Sequence, residues 1–342
     1  MAKPGIFVFH VTQREDRAPL LTALRGWMED QSWGQLRRLV SARRIQVNGN
    51  LCVDEGRRLT TGEVVRVLPH SVAPPPRDDD VRLVFVDAHV VVLEKPAGIT
   101  TLRHSEEQGW PHRRKDRQPT LDEILPRVLA KSQRQGTRSR TRRTRDPRLP
   151  RVRAVHRLDR DTSGVMVFAR SAEAERALVQ QFRHHTIHRQ YLAIVHGSPV
   201  AGTIRTHLVR DRGDGRRGST TQTELGQLAV THVRPLERLG DYTLIACRLE
   251  TGRTHQIRIH LAEAGHFLCG DKVYCQPLFQ KPLPDTSGAP RIALHAAELE
   301  FDHPITGERL SFRSPLPPDL KEFLQRLRKQ ARGRGDAAGR QP

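Results

Sequence analysis

The residues of this chain best suited to chemistry lie between His156 and Gly164, in the stretch HRLDRDTSG. Apolar residues alternate directly after it, at Val165, Val167 and Ala169, which is typical of a half-buried β-strand. A carboxylate set among arginines, with Thr-Ser-Gly as turn residues, is therefore predicted at the mouth of a strand. An ionised carboxylate in such a place can act as a nucleophile, although most aspartates only pair with arginines at the surface.

A second candidate stretch, ETGRTHQIRIH, runs from Glu250 to His260. Its Thr-Gly turn enters a predicted helix, whose first N–H groups suit a phosphate or a carboxylate. In that helix Ile257 and Leu261 share one face, whereas His255 and Arg258 share another. We therefore expect Arg258 to point away from the core and toward an acid.

The elements that precede these stretches indicate a small domain over residues 1–70. Pro19 suits the first turn of one helix, and Ser32 with Gln35 forms the capping box of a second. Asn48-Gly49 is a strong hairpin-turn signal, and a closing strand pair is predicted before residue 68. Residues 71–81 are rich in Pro and Asp and are predicted to be a linker.

Residues 82–328 are predicted to form the larger domain, followed by a basic tail over 329–342. Pro317 to Leu327 is predicted to be its last helix, and Thr120 and Ser171 are predicted to begin two others. Within it, residues 131–153 carry ten Lys or Arg and a single acid. Such a segment cannot bury enough apolar surface to fold alone. It is either an arm that orders on RNA, which we favour, or a solvated loop.

The composition favours a polyanionic partner, because 342 residues carry a formal net charge of +20. An anionic membrane surface is the rival, but no apolar run approaches the roughly 20 residues of a spanning helix. The first residues lack the apolar core of a signal peptide. Four cysteines form no paired motif, so we expect buried free thiols, a reducing cytoplasm, and no metal even at the histidine clusters.

Several of these motifs together resemble the RluA-type RNA pseudouridine synthases. HRLDRDTSG looks like the signature of that family, and ETGRTHQIRIH contains its TGRTHQIRxH pattern. Lys95 to Gly98 reads KPAG, and Arg189 to Val195 is similar to the family's KxYLAxV, with Arg in place of Lys. Residues 1–70 resemble the S4 RNA-binding domain, an αα-hairpin with arginines on one side.

The resemblance implies an α+β fold, with a mixed, mostly antiparallel sheet in the catalytic domain after a small S4-like domain. It implies that Asp159 is the catalytic residue, that Arg258 orients it, and that Tyr191 stacks on the uracil. The other residues that we assign to substrate binding are Lys95, His156, Arg157, Arg160, Thr162, Arg253, Thr254 and His255. Those that we assign to RNA binding are Arg37, Arg38, Arg43, Arg44, Arg138, Arg140, Arg142, Arg143 and Arg145.

The implied reaction is isomerisation of uridine in RNA without a cofactor, most plausibly in large-subunit ribosomal RNA, by a monomer. Asp159 then adds to the sugar, adds to the base, or removes a sugar proton, and the sequence does not choose among the three. Transfer RNA is the alternative substrate. The alternative from another class is a non-catalytic RNA-binding or ribosome-assembly factor, which has no need of Asp159, Tyr191 and Arg258 together.

Overall fold

The computed structural model describes residues 7–48, 50–72, 74–103, 107–110, 112–136, 149–275, 277, 280–281 and 283–338. They fall into two compact units. The first is drawn from residues 1–75, 106–119 and 210–218, and the second from 76–105, 120–209 and 219–342. The domain predicted over residues 1–70 did not include the two later segments of the first unit.

The first unit is a four-stranded sheet with two main helices. In chain order its elements are β1 (Phe7–His10), α1 (Leu20–Trp27), α2 (Trp33–Ser41), β2 (Ile45–Val47), β3 (Asn50–Leu51), β4 (Val64–Val67) and α3 (His112–Arg117). The capping box predicted at Ser32 and Gln35 is present, and β2 pairs with β3 as the predicted hairpin. The predicted closing strand pair is wrong, since only β4 follows and it pairs with β2 and with the unpredicted β1.

The second unit holds the remaining elements, together with Gly218, the first residue of β11. They are β5 (Arg82–Val86), β6 (Val90–Lys95), α4 (Leu121–Gly136), β7 (Arg153–Ala154), β8 (Ser163–Ala169), α5 (Ala172–Arg183), β9 (His188–His196), β10 (Gly202–Val209), β11 (Gly218–Thr220), β12 (Gln227–Leu239), β13 (Tyr242–Leu249), α6 (Gln256–Glu263), β14 (Leu294–Asp302), β15 (Arg309–Arg313) and α7 (Pro318–Ala338).

These strands form one mixed sheet with eleven strands among the described residues, in the order β11-β10-β12-β13-β9-β14-β8-β6-β5, while β15 pairs with β14 and β7 with β8. The pairing of β14 with β8 is parallel, and the other printed pairings are antiparallel, as the fold prediction required. Both faces of the central strands are buried. On β6, Val90 and Val92 pack into one apolar cluster and Val91 and Leu93 into another, which explains the unbroken apolar run.

Two predicted boundaries are corrected by the helices. The last helix does not end near Leu327 but continues through most of the predicted basic tail to Ala338, because Arg, Lys, Gln and Ala all favour helix and a glycine costs only about 1 kcal/mol there. Residues 131–136, predicted to be the start of an unfolded arm, are the last turns of α4. No helix among the described residues is long and apolar enough to span a membrane.

Candidate active site

A cavity of about 550 Å³ opens in the second unit between the end of α5, the loop before β8 and the start of α6. Both candidate stretches contribute to its wall, so the sheet brings together motifs almost 100 residues apart. Asp159 is the only carboxylate among the described residues that line it, whereas five arginines line it. The cavity therefore suits an anionic ligand that presents its reacting atom to one carboxylate.

The residues on either side of Asp159 are fixed by hydrogen bonds. The Thr101 hydroxyl donates to the Leu158 carbonyl at 2.8 Å and accepts from the Leu158 N–H at 3.1 Å. The Arg160 carbonyl accepts from the Gly98 N–H at 2.8 Å. Because both neighbours are anchored to the loop after β6, Asp159 projects from a rigid backbone. The KPAG stretch thus acts on the site through the backbone.

Lys95 differs from its predicted role as a substrate-binding residue. Its side chain is enclosed, 1% exposed, and its ammonium donates to the carbonyls of Pro96, Ile99 and Arg160 at 2.9, 2.9 and 3.1 Å. Burial lowers the pKa of Lys95 to about 7, while the charge of Asp161 opposes that shift. The side chain does not line the cavity but ties the loop after β6 to the loop that carries Asp159.

Gly164, at the end of the first motif, has a steric requirement for glycine. Its φ is +123°, and a Cβ there would lie 2.1 Å from the Ala296 carbonyl oxygen on the neighbouring strand β14. The parallel pairing of β8 with β14 begins at this point, at Ser163 and Gly164. The glycine of the motif therefore permits the strand contact that places Asp159 at the cavity.

Arg258 faces Asp159, but its main partner is Asp271. Its Nε and Nη2 donate to the two Asp271 oxygens at 2.7 and 3.0 Å, whereas its Nη1 lies 4.0 Å from Asp159 Oδ2. Burial alone would lower the pKa of Arg258, but the charge and hydrogen bonds of Asp271 outweigh it and raise that pKa. The predicted pairing with Asp159 is thus long, and Arg258 presents a fixed positive charge without binding the carboxylate closely.

His255 supplies the second cationic neighbour whenever it is protonated. Its Nε2 lies 4.0 Å from Asp159 Oδ2, and its Nδ1 is 2.9 Å from the Tyr274 hydroxyl. The residue has a left-handed backbone, φ +60°, immediately before α6. This conformation turns the ring into the cavity, where it is 21% exposed.

The loop before α6 is braced by Gln256, whose amide is fully enclosed. The Gln256 Oε1 accepts from the Thr251 hydroxyl at 2.8 Å and from the Arg253 N–H at 3.0 Å, and its Nε2 donates to the Val230 carbonyl at 3.0 Å. One of the N–H groups predicted to meet a phosphate or carboxylate is therefore satisfied within the protein.

Tyr191 forms part of the cavity wall beside Arg189. Burial raises the pKa of Tyr191, with Arg189 opposing the shift and Asp159 adding to it, so the side chain is a neutral phenol at neutral pH. Arg189 donates from Nη2 to the Glu250 carbonyl at 2.9 Å and lies close beneath Gly252. A neutral ring in the wall is suited to stacking on a base, as predicted for Tyr191.

The remaining predicted substrate-binding residues divide into two groups. His156, Arg157, Thr162, Arg253 and Thr254 line the cavity together with Asp159. Arg160 does not line it, since its guanidinium pairs with Asp161 at 3.0 Å. His156 accepts a hydrogen bond at Nε2 from the Val167 N–H at 3.1 Å, so only its other nitrogen faces a ligand.

The arginines predicted to bind RNA in the first unit also divide into two groups. Arg37 and Arg38 are exposed on α2, and Arg37 has a surface pairing with Glu55 at 3.5 Å. Arg43 and Arg44 are half-buried and donate to the carbonyls of Arg117 and Leu68 at 3.3 and 2.7 Å, respectively. The arginines predicted from 138 to 145 lie outside the described residues. The four cysteines are buried free thiols, as predicted.

Three residues that position the site were not predicted from the sequence, namely Thr101, Gln256 and Asp271. Gln256 and Asp271 lie within motifs, yet their role depends on partners that the fold brings to them. The conserved-looking type of Asp271, an acid shortly after an arginine that needed a partner, was the available signal. Nothing in the sequence distinguished Thr101 from other loop threonines.

Comparison with known proteins agrees with this geometry. Residues 89–263 match the family described as RNA pseudouridylate synthase. A Xanthomonas campestris protein named ribosomal large subunit pseudouridine synthase D is 37% identical over 294 residues, which cover 82% of this chain and 81% of that protein. A Xylella fastidiosa protein of the same name is 38% identical, with 79% and 77% covered.

Among solved structures, human RNA pseudouridylate synthase domain containing 4 superposes with a TM-score of 0.54 over 72% of this chain and 93% of that one. At 23% identity this likeness bears on the fold alone. The family match includes Asp159, Tyr191 and Arg258, which meet at one cavity, and the relatives extend it over most of the chain. This protein therefore belongs to the RNA pseudouridylate synthases, the enzymes that isomerise uridine to pseudouridine in RNA.

Proposed function

We propose that this protein isomerises uridines of large-subunit ribosomal RNA, in the cytoplasm, with Asp159 as its catalytic carboxylate. The observation that carries the assignment of Asp159 is its position as the sole carboxylate among the described lining residues, 4.0 Å from Arg258 and from His255. The choice of ribosomal RNA is supported by the names of relatives that align over about four fifths of the chain.

The reaction breaks the bond between ribose C1′ and uracil N1, turns the base, and joins C1′ to C5. C5 loses its proton and N1 gains one, so the net change is an isomerisation. Breaking the first bond builds positive character on the sugar, which an anionic carboxylate stabilises as in glycosidases. Asp159 supplies that charge in each of its three possible roles.

The neighbours of Asp159 favour its ionised form without neutralising it. Arg258 is held at 4.0 Å by its closer pairing with Asp271, so its charge acts on Asp159 while leaving the carboxylate free of a direct bidentate pair. Tyr191, as a buried neutral phenol, packs against the uracil ring. The uridine must leave its helix to reach this wall, at a cost of about a few kcal/mol that RNA contacts elsewhere offset.

The first unit supplies such contacts in this proposal. We assign it as the S4-like RNA-binding domain, with the exposed Arg37 and Arg38 on α2 as its phosphate contacts. Arg43 and Arg44 support the domain instead, because they bind carbonyl groups of the same unit.

The experiment that tests the proposal maps pseudouridines in total RNA from cells that lack the gene. We expect one or more sites to disappear from large-subunit ribosomal RNA, to return with the wild-type gene, and to stay absent with Asp159→Asn. Sites lost from transfer RNA instead would contradict the substrate assignment. Restoration by Asp159→Asn would contradict the catalytic one.

A further inference from the structure

One end of the cavity is not explained by the chemistry at Asp159. Val179, Phe182 and Arg183 of α5 line it, and their spacing of three and four residues puts them on one stripe of the helix. His185, just after the helix, lines the same end. The buried residues Ala174 and Leu178 of the same helix pack into the core instead.

This end offers aromatic surface. The Phe182 and His156 rings stack with centroids 4.8 Å apart and an interplanar angle of 24°. The Arg189 guanidinium lies 5.4 Å from the Phe182 centroid. Aromatic rings and guanidinium planes are the surfaces on which proteins stack unpaired RNA bases.

It also offers hydrogen-bond donors. Because Val167 donates to His156 Nε2 and burial lowers the pKa of His156 to about 3, the ring is neutral and carries its proton on Nδ1. No acceptor for that proton is found among the described residues. Arg189 is 8% exposed, and its enclosed Nε has no hydrogen-bond partner there either. Two donors thus wait for acceptors such as the carbonyl oxygens of a base.

We propose that this end of the cavity is a second nucleotide subsite, which holds the base of the nucleotide next to the target uridine against Phe182 and His156. Arg183, exposed at the rim, binds the phosphate of that nucleotide. The subsite rests on the proposed function and adds a contact with the sequence around the target. A cavity of about 550 Å³ lies within the range of about 300–1,000 Å³ that encloses ligands larger than one uracil ring.

The test uses the full-length protein and a ribosomal RNA fragment carrying the mapped uridine. The base immediately 5′ or immediately 3′ of the target is removed in two further fragments, each of which leaves an abasic nucleotide. We expect one of these to raise KM about tenfold for the wild type, the effect of losing one stacked base. Phe182→Leu should raise KM similarly on the intact fragment, with no further rise on that abasic fragment.

Arg183→Gln should raise KM, whereas Arg176→Gln, on the same helix but outside the cavity lining, should not. With 4-thiouridine at the sensitive position, irradiation should crosslink the RNA to α5 or to residues 154–157, a result that does not depend on any variant folding. Unchanged KM on both abasic fragments, multiplicative effects of the base and Phe182, or a crosslink elsewhere would overturn the subsite alone. A wild type inactive on every RNA would overturn the proposed function as well.

Discussion

Asp271→Asn removes one charge from the buried pair that holds Arg258 and leaves the volume of the side chain almost unchanged. The Asp271 side chain is 0% exposed and that of Arg258 is 7% exposed. The carboxylate also accepts from the N–H groups of Val273 and Tyr274, at 2.9 and 3.1 Å. Breaking a buried pair by removing one partner costs about 3–5 kcal/mol, and we expect the free energy of unfolding to fall by that amount.

The same change should impair catalysis. Without the Asp271 charge, the nearest carboxylate to Arg258 among the described residues is Asp159, 4.0 Å away, and the guanidinium should move onto it. A carboxylate in a direct pair is displaced and less able to meet the sugar. A misplacement of about 1 Å costs about a hundredfold, so kcat should fall by about that factor.

Urea unfolding and turnover at saturating RNA measure the two effects. The matched control is Asp302→Asn, which breaks a surface pairing with Arg309 of 3.2 Å between side chains 49% and 44% exposed. We expect that control to change stability by less than about 1 kcal/mol and to leave kcat unaltered. If Asp271→Asn behaves like Asp302→Asn in both assays, the reasoning on Arg258 is refuted.

Three further predictions concern the wall of the site and the basic segment. Gly164→Ala should unfold the protein or lower its stability by several kcal/mol, whereas Gly26→Ala, in open space on α1, should raise stability by about 0.5–1 kcal/mol; equal effects in urea would contradict the close strand contact. Because folded His156 has a pKa of about 3 and an ordinary histidine 6.5, the unfolded chain binds the extra proton between those values, so wild-type stability should fall with pH, by up to about 1.4 kcal/mol per unit, relative to His156→Gln. Parallel curves for the two would show that the ring is protonated in the folded state. Replacing the five arginines of residues 138–145 with Gln should reduce the log–log salt slope of RNA affinity by about 0.7–0.9 per phosphate contact and leave the saturated rate unchanged; an unaltered slope would identify a solvated loop.

Local elements with strong side-chain signals were predictable from the sequence. The Ser32 capping box, the hairpin after Ile45 and the helix begun by Ser171 depend on contacts within a few residues, and the structure has all three. The strand after HRLDRDTSG was predictable from its alternation. That Asp159, Tyr191 and Arg258 share a cavity was predicted from the family resemblance, since no local pattern relates them.

Contacts made by the tertiary fold were not predictable in this way. Strand β1 is recognisable only because β4 pairs with it, and residues 7–10 carry a short pattern that many loops share. Lys95 was assigned to substrate because exposed lysines usually bind anions, but three carbonyls enclose its ammonium. The partner of Arg258 was assigned to Asp159, since the approach of Asp271 depends on the turn after α6.

The central claim is that the Asp159 carboxylate performs the isomerisation. The most direct measurement is release of tritium from RNA labelled at uracil C5, for wild type and Asp159→Asn, with equal occupancy of RNA verified by a binding assay. We predict release by the wild type and none above background by Asp159→Asn, because the amide keeps the shape of the site and lacks the charge. Release by Asp159→Asn at a comparable rate would contradict the account.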